Sequence, residues 1–161
     1  MTRHTMIAMA LLLAAPMLIG CDDAGRMVSG EVTFYGATPP AVINWEGQMS
    51  RAESLQYVTA HDDVAWNHLW QLIGQVPPIP DLPDGWMAVG IFLGQRPTTG
   101  YSAQISRVID AWAPGLPDTM IVHYTEAAPL KGMTLPPDLT SPWAVRLVPT
   151  QTLDPTFIKG G

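Results

Sequence analysis

Cysteine is almost missing from this chain. Its 161 residues contain one, Cys21, so no intrachain disulfide can brace the fold. Charge is scarce too. Asp, Glu, Lys and Arg make up 14% of the residues, against the usual quarter, and the formal net charge is −6. The eight Lys and Arg form no cluster, which removes the electrostatic footprint of a nucleic-acid binder. There is no internal repeat and no low-complexity segment. No glycine-rich phosphate loop appears, and the serine in "GYSA" lacks the pattern of a nucleophile elbow. His61 and His68 stand seven apart on an expected helix, about 10 Å of axial rise, too far to share one ion. Single Ser, His and Asp residues occur without a spacing that singles out a triad. These absences point away from metal and cofactor chemistry and toward a non-enzymatic protein.

What is present is apolar. Hydrophobic residues reach 47%, with 16 prolines and 14 glycines scattered along the chain. That mixture suits many short strands joined by turns. The fold class expected is mainly β (α+β), an antiparallel sheet or sandwich with one packed amphipathic helix.

Residues 1–20 read as an address. Arg3 and His4 precede "MIAMALLLAAPMLIG", an apolar run too short to cross a bilayer comfortably. It ends in "LIGC", Leu18 to Cys21, which resembles a bacterial lipobox. That resemblance implies cleavage before Cys21 and lipidation of its thiol, and several acyl chains suffice for stable anchoring. Asp22 and Asp23 follow, resembling the retention signal of enteric lipoproteins, which implies the periplasmic side of the inner membrane. Residues 21–30 form a lipidated, flexible tether. Residues 31–161 are expected to be one β-rich domain in the cell envelope.

Along that domain, "EVTFYG" (31–36) alternates as a strand, and "AVINWEG" (41–47) is its expected hairpin partner. "LQYVTA" (55–60) is a third short strand. In "HDDVAWNHLWQLIG", Trp66, Leu69, Trp70 and Ile73 fall at i, i+3, i+4 and i+7, one helical face. Thr59 is the expected N-cap, and Asp62 and Asp63 complement the helix dipole. Gly74 ends the helix. The prolines of "VPPIPDLPDG" (76–85) impose a stiff connector. "WMAVGIFLG" (86–94) is apolar at both parities, a strand buried on both faces. "YSAQISRVID" (101–110) points Tyr101, Ala103, Ile105 and Ile109 one way, with Arg107 interrupting that side. "APGLPD" (113–118) reads as a turn. "DTMIVHYTEA" (118–127) and "PWAVRLVP" (142–149) are further strands, and "TFI" (156–158) is a short tail strand.

Between the two best strands lies "GQRPTTGYS", residues 94–102. Pro97 presets φ, Gly100 permits φ > 0, and Thr98 and Thr99 can bond nearby backbone. Two readings stay open. One is a turn that fixes hairpin register; the other is a stiff recognition loop on a rigid scaffold. On the second reading the contacts are Arg96, Pro97, Thr98, Thr99, Gly100 and Tyr101, with Ser141, Pro142 and Trp143 as a neighbouring anchor.

The ordered combination of the Trp-containing helix, the apolar strand ending in glycine, Arg96-Pro97-Thr98, Gly100-Tyr101-Ser102 and the closing "SPW" strand resembles the PrcB C-terminal domain family. The resemblance spans about residues 55–150. It implies an exported domain, accessory to a protease or envelope complex, that binds another protein. The family usually has two glycines before the tyrosine; Thr99 stands in the first place here. A weaker likeness links "RPTTGY" and "SPW" to loops of chagasin-type protease inhibitors, which implies an inhibitor as the alternative. A hydrolase with a non-standard site is a third reading.

Overall fold

The computed structural model describes residues 30–31, 40, 43–111 and 119–160. The leader 1–20, the lipobox with Cys21, the tether up to residue 29, residues 32–36 of the first expected strand and the 113–118 turn lie outside the described residues. Along the described chain run β1 (Gly30–Glu31), β2 (Asn44–Gly47), β3 (Gln56–Ala60), α1 (Asp63–Ile73), β4 (Trp86–Phe92), β5 (Ser102–Ala111), β6 (Thr119–Ala127), β7 (Trp143–Pro149) and β8 (Thr156–Lys159). They form two four-stranded sheets, ordered β2-β7-β4-β3 and β1-β5-β6-β8. Pairing is antiparallel throughout except between β6 and β8, which run parallel. This is the mainly β, helix-bearing sandwich the composition implies.

The order of layers follows from β4, every residue of which is buried. Successive strand side chains point to opposite faces. Trp86, Ala88 and Phe92 pack with Trp66, Leu69, Trp70 and Ile73 of α1. Met87, Val89 and Ile91 pack with Ala103, Ile105, Met120 and Val122 of the second sheet. This strand therefore serves two cores, helix on one side and sheet on the other. β7 does the same, sending Trp143, Val145 and Leu147 to the helix side and Ala144 and Val148 to the sheet side, so two central strands serve both cores. Each large aliphatic or aromatic side chain so buried contributes about 1.5–3 kcal/mol.

The helix begins later than expected. Asp62, not Thr59, is the N-cap: its backbone is extended at φ −146 and its Oδ1 accepts from the Ala65 N–H at 2.8 Å. Thr59 is held in β3 opposite Val89, so the chain cannot turn into a helix until the strand ends at Ala60. Asp63 Oδ1 accepts from the Leu82 N–H at 2.7 Å, and Trp66 Nε1 donates to the Ile79 carbonyl at 2.9 Å. These two bonds lash the proline connector to the helix. Gly74, left-handed at φ 83, closes α1 by donating to the carbonyls of Trp70 and Gln71.

Among the described residues β2 pairs with β7, and β1 pairs with β5 in the other sheet; the expected hairpin of 31–36 with 41–47 falls mostly on residues outside those described. The segment after β4 is no hairpin corner. β4 and β5 lie in different sheets, so residues 94–101 cross from one layer to the other. In β5 the register shifts between Ile105 and Arg107. Ser106 is the extra residue of a β-bulge, and its hydroxyl donates to the His123 carbonyl at 3.1 Å. The bulge turns Arg107 outward and Val108 inward, which removes the apparent interruption of the apolar side.

Candidate functional site: the braced crossover loop

The crossover loop is fastened from both backbone and side chain. Leu93 N–H donates to the Pro142 carbonyl at 2.9 Å. Arg96 and Thr140 exchange two backbone bonds, 2.7 Å from Arg96 N–H and 3.0 Å in return. Thr140 Oγ1 then donates to the Thr98 carbonyl at 3.1 Å. This ladder brings the two segments singled out in the sequence, 96–101 and 141–143, side by side.

Arg96 turns inward. Its Nε and Nη2 both donate to Glu126 Oε1, at 3.0 and 2.8 Å, and its Nη1 donates to the carbonyls of Leu93 and Gln95 at 2.8 and 3.2 Å. The guanidinium carbon sits 5.8 Å from the centre of the Tyr101 ring, a cation–π distance. The other Glu126 oxygen accepts from Lys159 Nζ at 2.7 Å. Burial pushes the Glu126 carboxyl up, but the hydrogen bonds and charges of Lys159 and Arg96 outweigh it and hold the group below its ordinary 4.5. Arg96 is thus the clasp of the loop. What remains outward is Pro97 and Gly100, both exposed, with Thr98, Thr99 and Tyr101 half-buried.

Thr99 shows why one glycine suffices. Every non-glycine φ among the described residues is negative, whereas Gly100 has φ 90. A Cβ on Gly100 would also stand 3.0 Å from Leu135 Cδ1 and 3.1 Å from Pro129 Cγ. The glycine requirement falls on the second position alone, so a β-branched residue is tolerated in the first.

Ser141, Pro142 and Trp143 are interior. Ser141 is 3% exposed; its hydroxyl donates to the Ala52 carbonyl at 2.8 Å and meets the Ser50 hydroxyl at 2.7 Å. Trp143 is also 3% exposed, and its Nε1 donates to the Met49 carbonyl at 2.9 Å. They support the loop from beneath and present no anchor to solvent in this conformation. Sequence reading missed Glu126, Lys159 and Thr140. The available signal was Glu126, the one carboxylate in β6.

The three described histidines are scattered. His61 Nε2 lies 3.2 Å from Asp154 Oδ1, the same oxygen to which Thr59 Oγ1 donates at 3.2 Å. Hydrogen bonds from His61 and Thr59 hold Asp154 below its ordinary 3.8. The Asp154 side chain is 79% exposed, and Thr59 donates to the carboxylate rather than to the imidazole, so no hydroxyl is activated there. His68 is exposed on α1 and His123 half-buried in β6. Among the described residues no group of three or more His, Cys, Asp or Glu is placed to hold a metal ion. No helix among them is long and apolar enough to cross a membrane.

The class defined by these features is a two-sheet β sandwich with one packed helix, carrying a braced loop that passes between its layers. Residues 87–148, from β4 to β7, match the PrcB C-terminal family, as the loop and its flanking strands indicated. The matched stretch contains the crossover loop, Glu126 and the 140–143 support; α1 and β3 precede it. Neither the curated proteins nor the solved structures include a match to this chain.

Proposed function

We propose that this protein is a non-enzymatic lipoprotein, tethered through Cys21 to the periplasmic side of the inner membrane, whose β domain binds another protein. The PrcB C-terminal match makes a protease or envelope complex the partner favoured. The observation that carries the reading is the double fastening of residues 94–101 by Thr140 and Glu126. A loop already held in one conformation loses little entropy on binding. Its exposed crest, Pro97 and Gly100, is the contact, with Thr98, Thr99 and Tyr101 flanking it. Arg96, Ser141, Pro142 and Trp143 act from behind. The inhibitor alternative asks the "SPW" segment to enter a protease cleft as a second loop, and the burial of Trp143 works against it. Among the described residues the hydrolase reading draws on the open His61–Asp154 pair.

Site-specific photo-crosslinking in the native envelope tests this. A photoreactive residue at position 97 should yield a discrete crosslinked adduct, and the same residue at the exposed position 152 should not. Pro97→Asp should weaken capture of the protein identified in that adduct at least tenfold with unchanged circular dichroism. Equal crosslinking from both positions would refute the loop as the contact. Cys21→Ser should release the protein from the membrane fraction; retention through acyl chains would refute the anchor.

A further inference from the structure

A second surface lies where the β2–β3 connection faces the exit of α1. It is a groove of about 520 Å³, within the range of ligand sites, and Trp45, Trp70 and Trp143 contribute to its lining. Met49 and Val76, 59% and 86% exposed, stand on its flanks with Pro78. Trp70 is central to the aromatic cluster: its ring makes edge contacts with Trp45 at 5.8 Å, Trp66 at 5.4 Å and Trp143 at 5.7 Å. Gly47 permits this closeness, since a Cβ there would fall 2.7 Å from the Trp143 indole.

The indole donors of the cluster are not treated alike. Trp66 Nε1 has the Ile79 carbonyl and Trp143 Nε1 has the Met49 carbonyl. Trp70 is 2% exposed, and its Nε1 is buried with no hydrogen-bond partner. Such orphaned buried donors are rare in native proteins and call for a missing acceptor. The groove has one charged lining residue, Glu46, and no cation, which disfavours phosphates and carboxylates as that acceptor. Apolar surface from Trp45, Met49, Val76 and Pro78, set beside Gln48 and Gln75, together with one unsatisfied donor suits a ligand with apolar rings and free carbonyls. A polyproline II segment has both, because its backbone makes no internal hydrogen bonds and its prolines stack on aromatic grooves. An α-helical ligand would keep its carbonyls bonded within itself.

We propose that this groove binds an extended, proline-containing peptide segment, with Trp70 donating its indole N–H to one of the segment's carbonyls. The donor is closed to solvent until a lining side chain moves aside. Met49, unbranched, exposed and polarizable, is suited to do so. The groove shares no residue with the crest of the crossover loop, so each proposal stands or falls separately.

The test uses the full chain, isotope-labelled, titrated with an acetylated, amidated decaproline peptide. A glycine–serine decapeptide and a cello-oligosaccharide serve as comparison probes. Decaproline should bind saturably and move the Trp70 indole N–H resonance, and the comparison probes should not. Trp70→Phe keeps the aromatic packing but removes the donor, and should weaken binding about five- to tenfold. Met49→Asp, at an exposed flank, should weaken it as much without disturbing the fold, and decides the matter if Trp70→Phe fails to fold. The proposal is overturned by any of three results: no saturable binding of decaproline, equal or tighter binding of either comparison probe, or undiminished binding to both variants.

Discussion

The hydroxyls of Tyr57 and Tyr124 meet at 2.9 Å, one from each sheet. Phe157 of β8 stacks on the Tyr57 ring at 4.5 Å and 17°, so an aromatic group joins β3 to the opposite sheet. Burial, and then the hydrogen bond with Tyr57, push Tyr124 up to about 12 from its ordinary 10.0. The neutral phenol is the form the fold favours. The stability that follows is complete below pH 10.0 and is lost as the pH climbs through about 12. Alkaline titration followed by tyrosinate absorbance should show one lagging phase. In Tyr57→Phe that phase should move down yet stay above the ordinary value, because burial remains. The variant should lose about 1 kcal/mol by chemical denaturation.

Glu126→Gln tests the clasp. Glu126 holds Arg96 and Lys159 at once, and the glutamine can keep only part of that network. We expect a loss of about 1–2 kcal/mol at pH 7. Glu126 is depressed in the folded state, so its contribution is present above pH 4.5 and fades as the pH falls through the lower folded value. Melting temperatures of the parent and variant should therefore converge as the pH is lowered from neutral to below 4.5. A gap that stays constant with pH would contradict the ion-pair origin.

Neighbouring loop positions should answer oppositely to glycine chemistry. Gly100→Ala forces a side chain into φ 90 against Leu135 and Pro129 and should cost about 1–2 kcal/mol. Thr99→Gly places glycine where no positive φ requires it, and should change stability by less than about 1 kcal/mol. Urea titrations of the two variants side by side decide this.

Local pattern carried part of this fold into view. The two-sided apolarity of 86–94, the stripe Trp66, Leu69, Trp70 and Ile73, and the alternation of 119–124 each report the face their own residues must bury, and the structure buries those faces. Pairing is another matter. β2 joins β7 across about a hundred residues, and nothing in "AVINWEG" encodes which strand it will meet. The same holds for residues 94–101: their turn chemistry is plain, but whether they end in the same sheet or the opposite one is settled by the strands on either side. Thr59 lost the capping role because β3 pairing overrode a local preference. Arg107 looked misplaced because a bulge at Ser106 resets the alternation, and a single inserted residue leaves no periodic mark. Arg96 looked like a recognition cation because its partner, Glu126, is thirty residues away.

The two central strands shared by both cores bear on how this protein comes apart. Among the described residues, α1 packs on one face of β4 and β7 and the second sheet on the other, so neither layer can leave without opening the strands between them. Heating should thus produce a single cooperative melting transition rather than a peeling of one layer, with the calorimetric and van't Hoff enthalpies equal. The amides of β4 should be among the slowest in the molecule to exchange their hydrogens for deuterium.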